Sequence, residues 1–270
     1  MKIGVFIVLS NEVEAEFKKA HDMGFSYCQL ACWEEELMND ENAAIVNECC
    51  EKYGIKISSF WCGWKGPAVW DLVEGPITLG LVPVTYRFER MKELMHGSDF
   101  CKKINVENII THVGFIPVDP NCHDYRTLVS ALREVATYVK NNGQYFLFET
   151  GQETPVTLLR TIEDVGTGNL GINLDPANLI DYGMGNPIDA LGVFGKYVRD
   201  VHAKDSTYPT DGRHCGQEKP LGEGKVNFPK FIEKLKEIGY DGTLTIEREI
   251  SGEQQIIDIK NGKEYLEKLI

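Results

Sequence analysis

Eight times along this chain a short β-rich run gives way to a polar loop and then to a helical pattern. That alternation constrains the fold more than any other feature. The runs are KIGVFIVL (2–9), FSYCQLAC (25–32), IKISSFWC (55–62), ENIITHVG (107–114), QYFLFET (144–150), LGINLD (170–175), YVRDVHAK (197–204) and GTLTIERE (242–249). Helical periodicity is clearest at 41–54, 85–104, 125–143 and 227–240. Gly24, Gly54, Gly143 and Gly239 stand where a helix wants a left-handed residue after its end, and Asn227 with Pro229 marks a helix start. Strict β-α alternation implies a parallel sheet with right-handed crossovers. Eight units in 270 residues fit a closed (β/α)8 barrel, an α/β fold with outer helices. No glycine-rich dinucleotide fingerprint follows the first run, where VLSNEVE stands. No linker divides the chain, so residues 1–270 read as one barrel domain. The loop 65–83, KGPAVWDLVEGPITLGLVP, is the exception, an insertion long enough to cover the barrel mouth.

Charge narrows the partners. A formal net charge of −13 argues against a nucleic-acid backbone or an anionic membrane surface, and leaves room for a small ligand in a locally positive pocket. None of the eight cysteines sits in a CxxC pair, which reads as free, mostly buried thiols of a reducing compartment. The N-terminal run IGVFIVL is too short to span a bilayer and lacks a cleavage site, so it reads as a first strand of a cytoplasmic protein.

Side-chain alternation then locates a site. If Glu149 points into the barrel, Phe146 and Phe148 face the helices; if Asp175 does, Ile172 and Leu174 face outward. The same parity places His202 inside with Val201 and Ala203 outside, and Glu247 inside with Ile246 outside. Each of the last four strands thus carries one ligand-type side chain at its C-terminal end, where barrel enzymes build their sites. Three carboxylates in register would repel one another, and a divalent cation removes the repulsion. Oxygen-rich donors with one imidazole suit Mn, Mg or Co better than a thiolate-type zinc site. Taken singly, each residue could instead be a loop cap, an ion-pair partner or a satisfied core histidine.

At FET, NLDPAN, VHAKD, PLGEG and LTIERE, in that order and spacing, the sequence resembles the xylose isomerase-like TIM-barrel superfamily. That group comprises sugar phosphate isomerases and epimerases, ketose 3-epimerases, hydroxypyruvate isomerases, inosose dehydratases and endonuclease IV. The resemblance implies that Glu149, Asp175, His202 and Glu247 hold one divalent metal, Mn preferred, with Mg, Co or Zn as alternatives. It further implies that Glu149 and Glu247 exchange the proton of a keto-sugar through an enediolate. Three positions depart from the epimerase pattern: Asn178 stands where a histidine is common, Tyr208 where a basic residue is common, and Pro155 where a second glutamate is common. Six histidines in an acidic chain also argue against the multi-zinc site of endonuclease IV.

The remaining candidates surround the mouth. His112 could bind a substrate hydroxyl, Lys204 could neutralise an oxyanion or pair with Asp205, and Trp33, Trp61 and Trp64 could wall a sugar ring. Asn178 and Arg213 complete the substrate-binding set, and Gly222–Glu223–Gly224 reads as turn chemistry. The expected activity is isomerisation or epimerisation of a small carbohydrate. The alternatives are a lyase on the same scaffold, by inosose-type dehydration or keto-glycoside elimination, and a barrel that binds carbohydrate without turnover. Covered mouths in such families often recruit a neighbouring subunit, so a homo-oligomer is expected.

Overall fold

Period-two alternation decides which strand residues fill the barrel and which meet the helices. The computed structural model describes residues 1–270 and closes eight parallel strands into a barrel. The strands are β1 (Lys2–Val8), β2 (Tyr27–Cys32), β3 (Lys56–Cys62), β4 (Asn108–Thr111), β5 (Tyr145–Glu149), β6 (Leu170–Leu174), β7 (Val198–Ala203) and β8 (Thr243–Ile246). They follow one another around the ring, and β8 closes it on β1 with Val5 opposite Ile246. All eight fall on the runs read from the sequence, and each is shorter than its run. Strand β4 stops at Thr111 and β8 at Ile246, leaving His112 and Glu247 one residue beyond. Glu247 still extends the ladder, its N–H donating to the Ala203 carbonyl at 3.3 Å.

The outer helices are α1 (Val13–Asp22), α2 (Asp40–Tyr53), α3 (Val84–Lys103), α4 (His123–Asn141), α5 (Pro155–Val165), α6 (Pro187–Phe194), α7 (Phe228–Glu237) and α8 (Glu253–Glu267). Local chemistry sets their ends. Asn39 caps α2 by accepting from the Asn42 N–H at 2.9 Å, and Gly54 ends it at φ 65°, a conformation costing a Cβ-bearing residue roughly 1–2 kcal/mol. Thr154 caps α5, and Pro155 fills its first turn, where a missing N–H is harmless.

Phe146, Phe148, Ile172, Leu174, Val201, Ala203 and Ile246 lie in the main core between strands and helices. Each large apolar side chain buried there contributes roughly 1.5–3 kcal/mol. Arg248, whose parity matches Ile246, is accommodated by ion pairs to Glu218 and Asp258, both at 2.8 Å. Inside the barrel and at its mouth the filling differs. Ala31, Trp61, Trp64, Leu79, Ile110 and Leu147 form a separate apolar cluster. Other interior positions carry buried Gln29, Ser59, Asn173, Asp200 and Thr245, where barrels commonly stack Val, Ile and Leu.

Loop 65–83 is strapped down by α3. Arg90, 1% exposed, donates to the carbonyls of Thr78, Gly80, Pro67 and Lys65 at 2.6, 2.7, 2.9 and 3.4 Å. Arg87 donates to those of Leu81 and Val82, each at 2.6 Å. Gly80 permits a close crossing, since a Cβ there would lie 2.1 Å from the Val113 carbonyl. Arg90→Met leaves those carbonyls unpaired and is expected to destabilise the fold by roughly 3 kcal/mol in urea unfolding. An unchanged midpoint would mean the loop holds without its strap. All eight cysteines are free, and no helix is long and apolar enough to cross a membrane.

Candidate metal centre

Strand ends deliver the four ligand-type residues to one face. Glu149 is the last residue of β5, Asp175 follows β6, His202 lies within β7, and Glu247 follows β8. One ligand atom from each lies within 4.8 Å of the others. His202 Nδ1 stands 3.1 Å from Glu149 Oε1, 3.2 Å from Glu247 Oε2 and 3.5 Å from Asp175 Oδ2. These are close approaches without hydrogen-bond alignment: His202 Nδ1, Asp175 Oδ2 and Glu247 Oε2 are buried and have no hydrogen-bond partner. Every other polar atom of the set is occupied by protein or open to the cavity. Asp175 Oδ1 caps the short helix Pro176–Asp181 through the Asn178 N–H at 2.9 Å. Glu149 Oε2 accepts from the Trp61 indole, and Glu149 Oε1 from the Asn178 amide at 3.4 Å.

On its far edge, His202 Nε2 lies 2.6 Å from Gln29 Oε1. An amide oxygen only accepts, so Nε2 carries a proton, and the neutral imidazole turns its Nδ1 lone pair toward three carboxylates. Lone pair against anionic oxygen is repulsive, and either a proton or a cation on Nδ1 relieves it. Only a cation takes electron pairs from all four residues at once. Three carboxylates outnumber the one ammonium beside them, Lys204, which also pairs with Glu249, and a divalent ion offsets the excess negative charge. The donors therefore fit such an ion.

The titration tendencies reflect the same crowding. Burial works against ionisation of Glu149, but His112 and His202 outweigh it and hold the carboxyl well below its ordinary range. Burial likewise opposes the charge on Glu247, yet Lys204 and then His202 bring it to about 2. Burial disfavours charge on His202 too, and Glu247 and Glu149 overcome that, raising it well above the usual imidazole value.

A cavity of about 840 Å³ opens above these residues and is lined by Glu149, Glu247, His112, Asn178, Lys204 and three tryptophans, Trp33, Trp61 and Trp70. His112 Nε2 is 3.4 Å from Glu149 Oε1, and the His112 ring lies 5.1 Å from Trp70. Asn178 bridges Glu149 to Lys204, its Oδ1 lying 3.4 Å from Nζ. Lys204 pairs with Glu249, Glu247 and Asp175 at 3.1, 3.2 and 3.8 Å. Asp205 instead accepts the N–H groups of Gly222, Gly224 and Val226 at 3.0, 3.0 and 3.1 Å. The glycine turn thus cradles an internal carboxylate. Trp64 packs behind Trp33 and Trp61 under Arg90, outside the lining. Arg213 is exposed and also outside it; its carbonyl accepts the Leu72 N–H at 3.1 Å and ties two mouth loops together.

Trp70, Tyr182 and Asp181 line the cavity without having been singled out from the sequence. Trp70 belongs to the long loop 65–83, and that position is its only signal in the sequence. Asp181 Oδ1 accepts the Ser206 hydroxyl at 2.5 Å, and burial raises its carboxyl from 3.8 to about 6. The folded state then holds more protons than the unfolded one between those values, so stability falls as pH rises through that window. Asp181→Asn is expected to remove that fall, on the order of 1–3 kcal/mol, in thermal melts from pH 4 to 7. Identical pH profiles for variant and wild type would contradict it.

Comparison with known proteins agrees with this architecture. The family model for the xylose isomerase-like TIM barrel matches residues 17–269. A xylose isomerase domain protein from Planctomyces limnophilus is 37% identical with a TM-score of 0.94, covering 99% of this chain and 96% of its own. A D-tagatose 3-epimerase-like protein is 25% identical with a TM-score of 0.76, covering 100% and 98%. A probable 3-DHS dehydratase from Bacillus anthracis shares the fold at 17% identity and a TM-score of 0.71, covering 99% of each chain. The chain belongs to the xylose isomerase-like TIM barrel family.

Proposed function

We propose that this protein is a divalent-metal-dependent isomerase or epimerase of a small keto-sugar or related carbohydrate, with Glu149 and Glu247 as its proton-transfer pair. The observation that carries the reading is the convergence of Glu149, Asp175 and Glu247 on Nδ1 of His202, with three of those buried atoms lacking any hydrogen-bond partner. A divalent cation held by the four residues, Mn in preference to Mg, Co or Zn, supplies Lewis acidity toward a carbonyl and its neighbouring hydroxyl. Glu247 borders the cavity beside Lys204, placed to take an α-proton; Glu149, fixed by Trp61 and Asn178, is placed to return one. Both carboxylates are weak bases as they stand. The oxygen of each glutamate not held on the ion would therefore do the proton work, helped at Glu247 by a substrate that displaces water from the cavity. Trp33, Trp61 and Trp70 offer apolar faces to a sugar ring, with His112, Asn178 and Lys204 as its polar contacts.

An NMR screen in D2O tests this: Mn-loaded protein against ketoses, keto-inositols and 3-keto-glycosides, observing the α-protons. Loss of an α-proton signal with an epimer or isomer growing in is the expected result. Absence of exchange across the panel, with metal bound, would contradict the reading and favour a barrel that only binds. A lyase is the second reading, favoured by Asp181, a carboxyl on the same cavity that burial keeps partly protonated near pH 6. Such an acid can hand a proton to a departing hydroxyl. Water or aglycone released in step with exchange would assign the protein there.

A further inference from the structure

The polar layer inside the barrel has a consequence for His202. Gln29 on β2 is fully buried, and β1 and β8 separate its strand from β7 in the ring, so its contact with His202 crosses the barrel interior. Its two amide ends meet opposite chemistry. Oε1 faces His202 Nε2 at 2.6 Å, while Nε2 faces Asp200 Oδ2 and Ser59 Oγ, each at 3.4 Å. Asp200 Oδ2 already accepts the hydroxyls of Ser58, at 2.8 Å, and Ser59, and Asp200 Oδ1 accepts the Val201 N–H at 3.0 Å. Ser59 sits directly opposite Gln29 in the β2–β3 register.

We infer that Gln29 is a positioning residue that holds His202 in its Nε2–H tautomer, with Asp200 and Ser59 setting the direction of the Gln29 amide. A flipped amide would aim NH2 at the proton on Nε2 and its oxygen at a carboxylate oxygen, two contacts of like polarity. The direction of polarity therefore runs upward from Asp200 through Gln29 to the imidazole and leaves the Nδ1 lone pair facing Glu149, Asp175 and Glu247. Asp200 and His202 are two residues apart on one strand, so they share a face at fixed spacing. Metal-bound histidines commonly donate directly to a carboxylate, a backbone carbonyl or a water. Here a neutral amide stands between, which orients the ring while keeping the Asp200 carboxylate one residue away.

This inference rests on the metal reading above, and Zn2+, being diamagnetic, probes both. The measurements are Zn2+ affinity by chelator competition and the histidine 15N spectrum of the Zn-loaded protein. Gln29→Leu removes the acceptor and is expected to weaken Zn2+ binding roughly 10–100-fold, with loss of the slowly exchanging His202 Nε2–H signal. Gln29→Glu combined with Asp200→Asn keeps an acceptor on His202 Nε2 without setting two buried carboxylates together, and is expected to recover wild-type affinity with that proton moved downfield. A residue that merely bolts the barrel together would give a lower melting temperature in Gln29→Leu with affinity and tautomer unchanged, and that result overturns the inference. Should Gln29→Leu fail to fold, a folded protein carrying Gln29→Glu with Asp200→Asn decides: retained affinity with the downfield proton supports the inference, and lost affinity overturns it. Wild-type protein that binds no Zn2+ overturns the metal reading itself, and this inference with it.

Discussion

Glu247→Gln is expected to slow epimerisation, and α-proton exchange from one of the two epimers, by about 10²–10⁴-fold while leaving metal binding weakened but measurable. The amide keeps an oxygen where Glu247 Oε2 stands, 3.2 Å from His202 Nδ1, and loses both the negative charge and the basic site. Glu149→Gln is the companion test. With two bases on opposite sides of the substrate, either single variant should retain exchange into one epimer and lose it in the other. The two variants should therefore show reciprocal deuterium patterns in the same NMR assay. Equal residual exchange into both epimers in either variant would rule out a two-glutamate mechanism. Full activity in Glu247→Gln would remove Glu247 from the chemistry altogether.

The second large effect is on stability. Removing metal with a chelator is expected to lower the melting temperature by roughly 5–10 °C relative to protein with Mn2+ at about a hundred times its Kd. Binding only the folded state contributes about 2.7 kcal/mol at that concentration, and each kcal/mol moves the midpoint of a chain this size by roughly 2–4 °C. The ion would relieve three carboxylates that otherwise share one imidazole and the Lys204 ammonium. Asp175→Asn is the matching control, because its remaining oxygen can still cap the helix Pro176–Asp181 while the ligand oxygen is lost. That variant should melt at one temperature with or without Mn2+. Identical melts of the wild type with and without Mn2+, Mg2+, Co2+ and Zn2+ would mean the four residues hold no ion.

Alternation along the strands, visible in the chain alone, assigned Phe148, Leu174, Val201 and Ile246 to the helix side and so turned Glu149, Asp175, His202 and Glu247 inward. It did so because strand parity is local: each residue's face follows from its neighbours in sequence. The eight-fold order of strands and the post-helical glycines were legible for the same reason. What tertiary structure alone decided is whatever depends on distance across the ring or on where a loop lands. Gln29 and Asp200 are polar residues within β-rich runs, and nothing local gives them a partner; only the closed barrel sets Gln29 against His202, 173 positions away. Trp70 reaches the cavity because Arg90 straps its loop to α3, whereas Trp64 and Arg213, as plausible on paper, are turned to packing and to loop closure. The backbone grammar of a strand sets which way a side chain points; only closure of the barrel sets what it meets there.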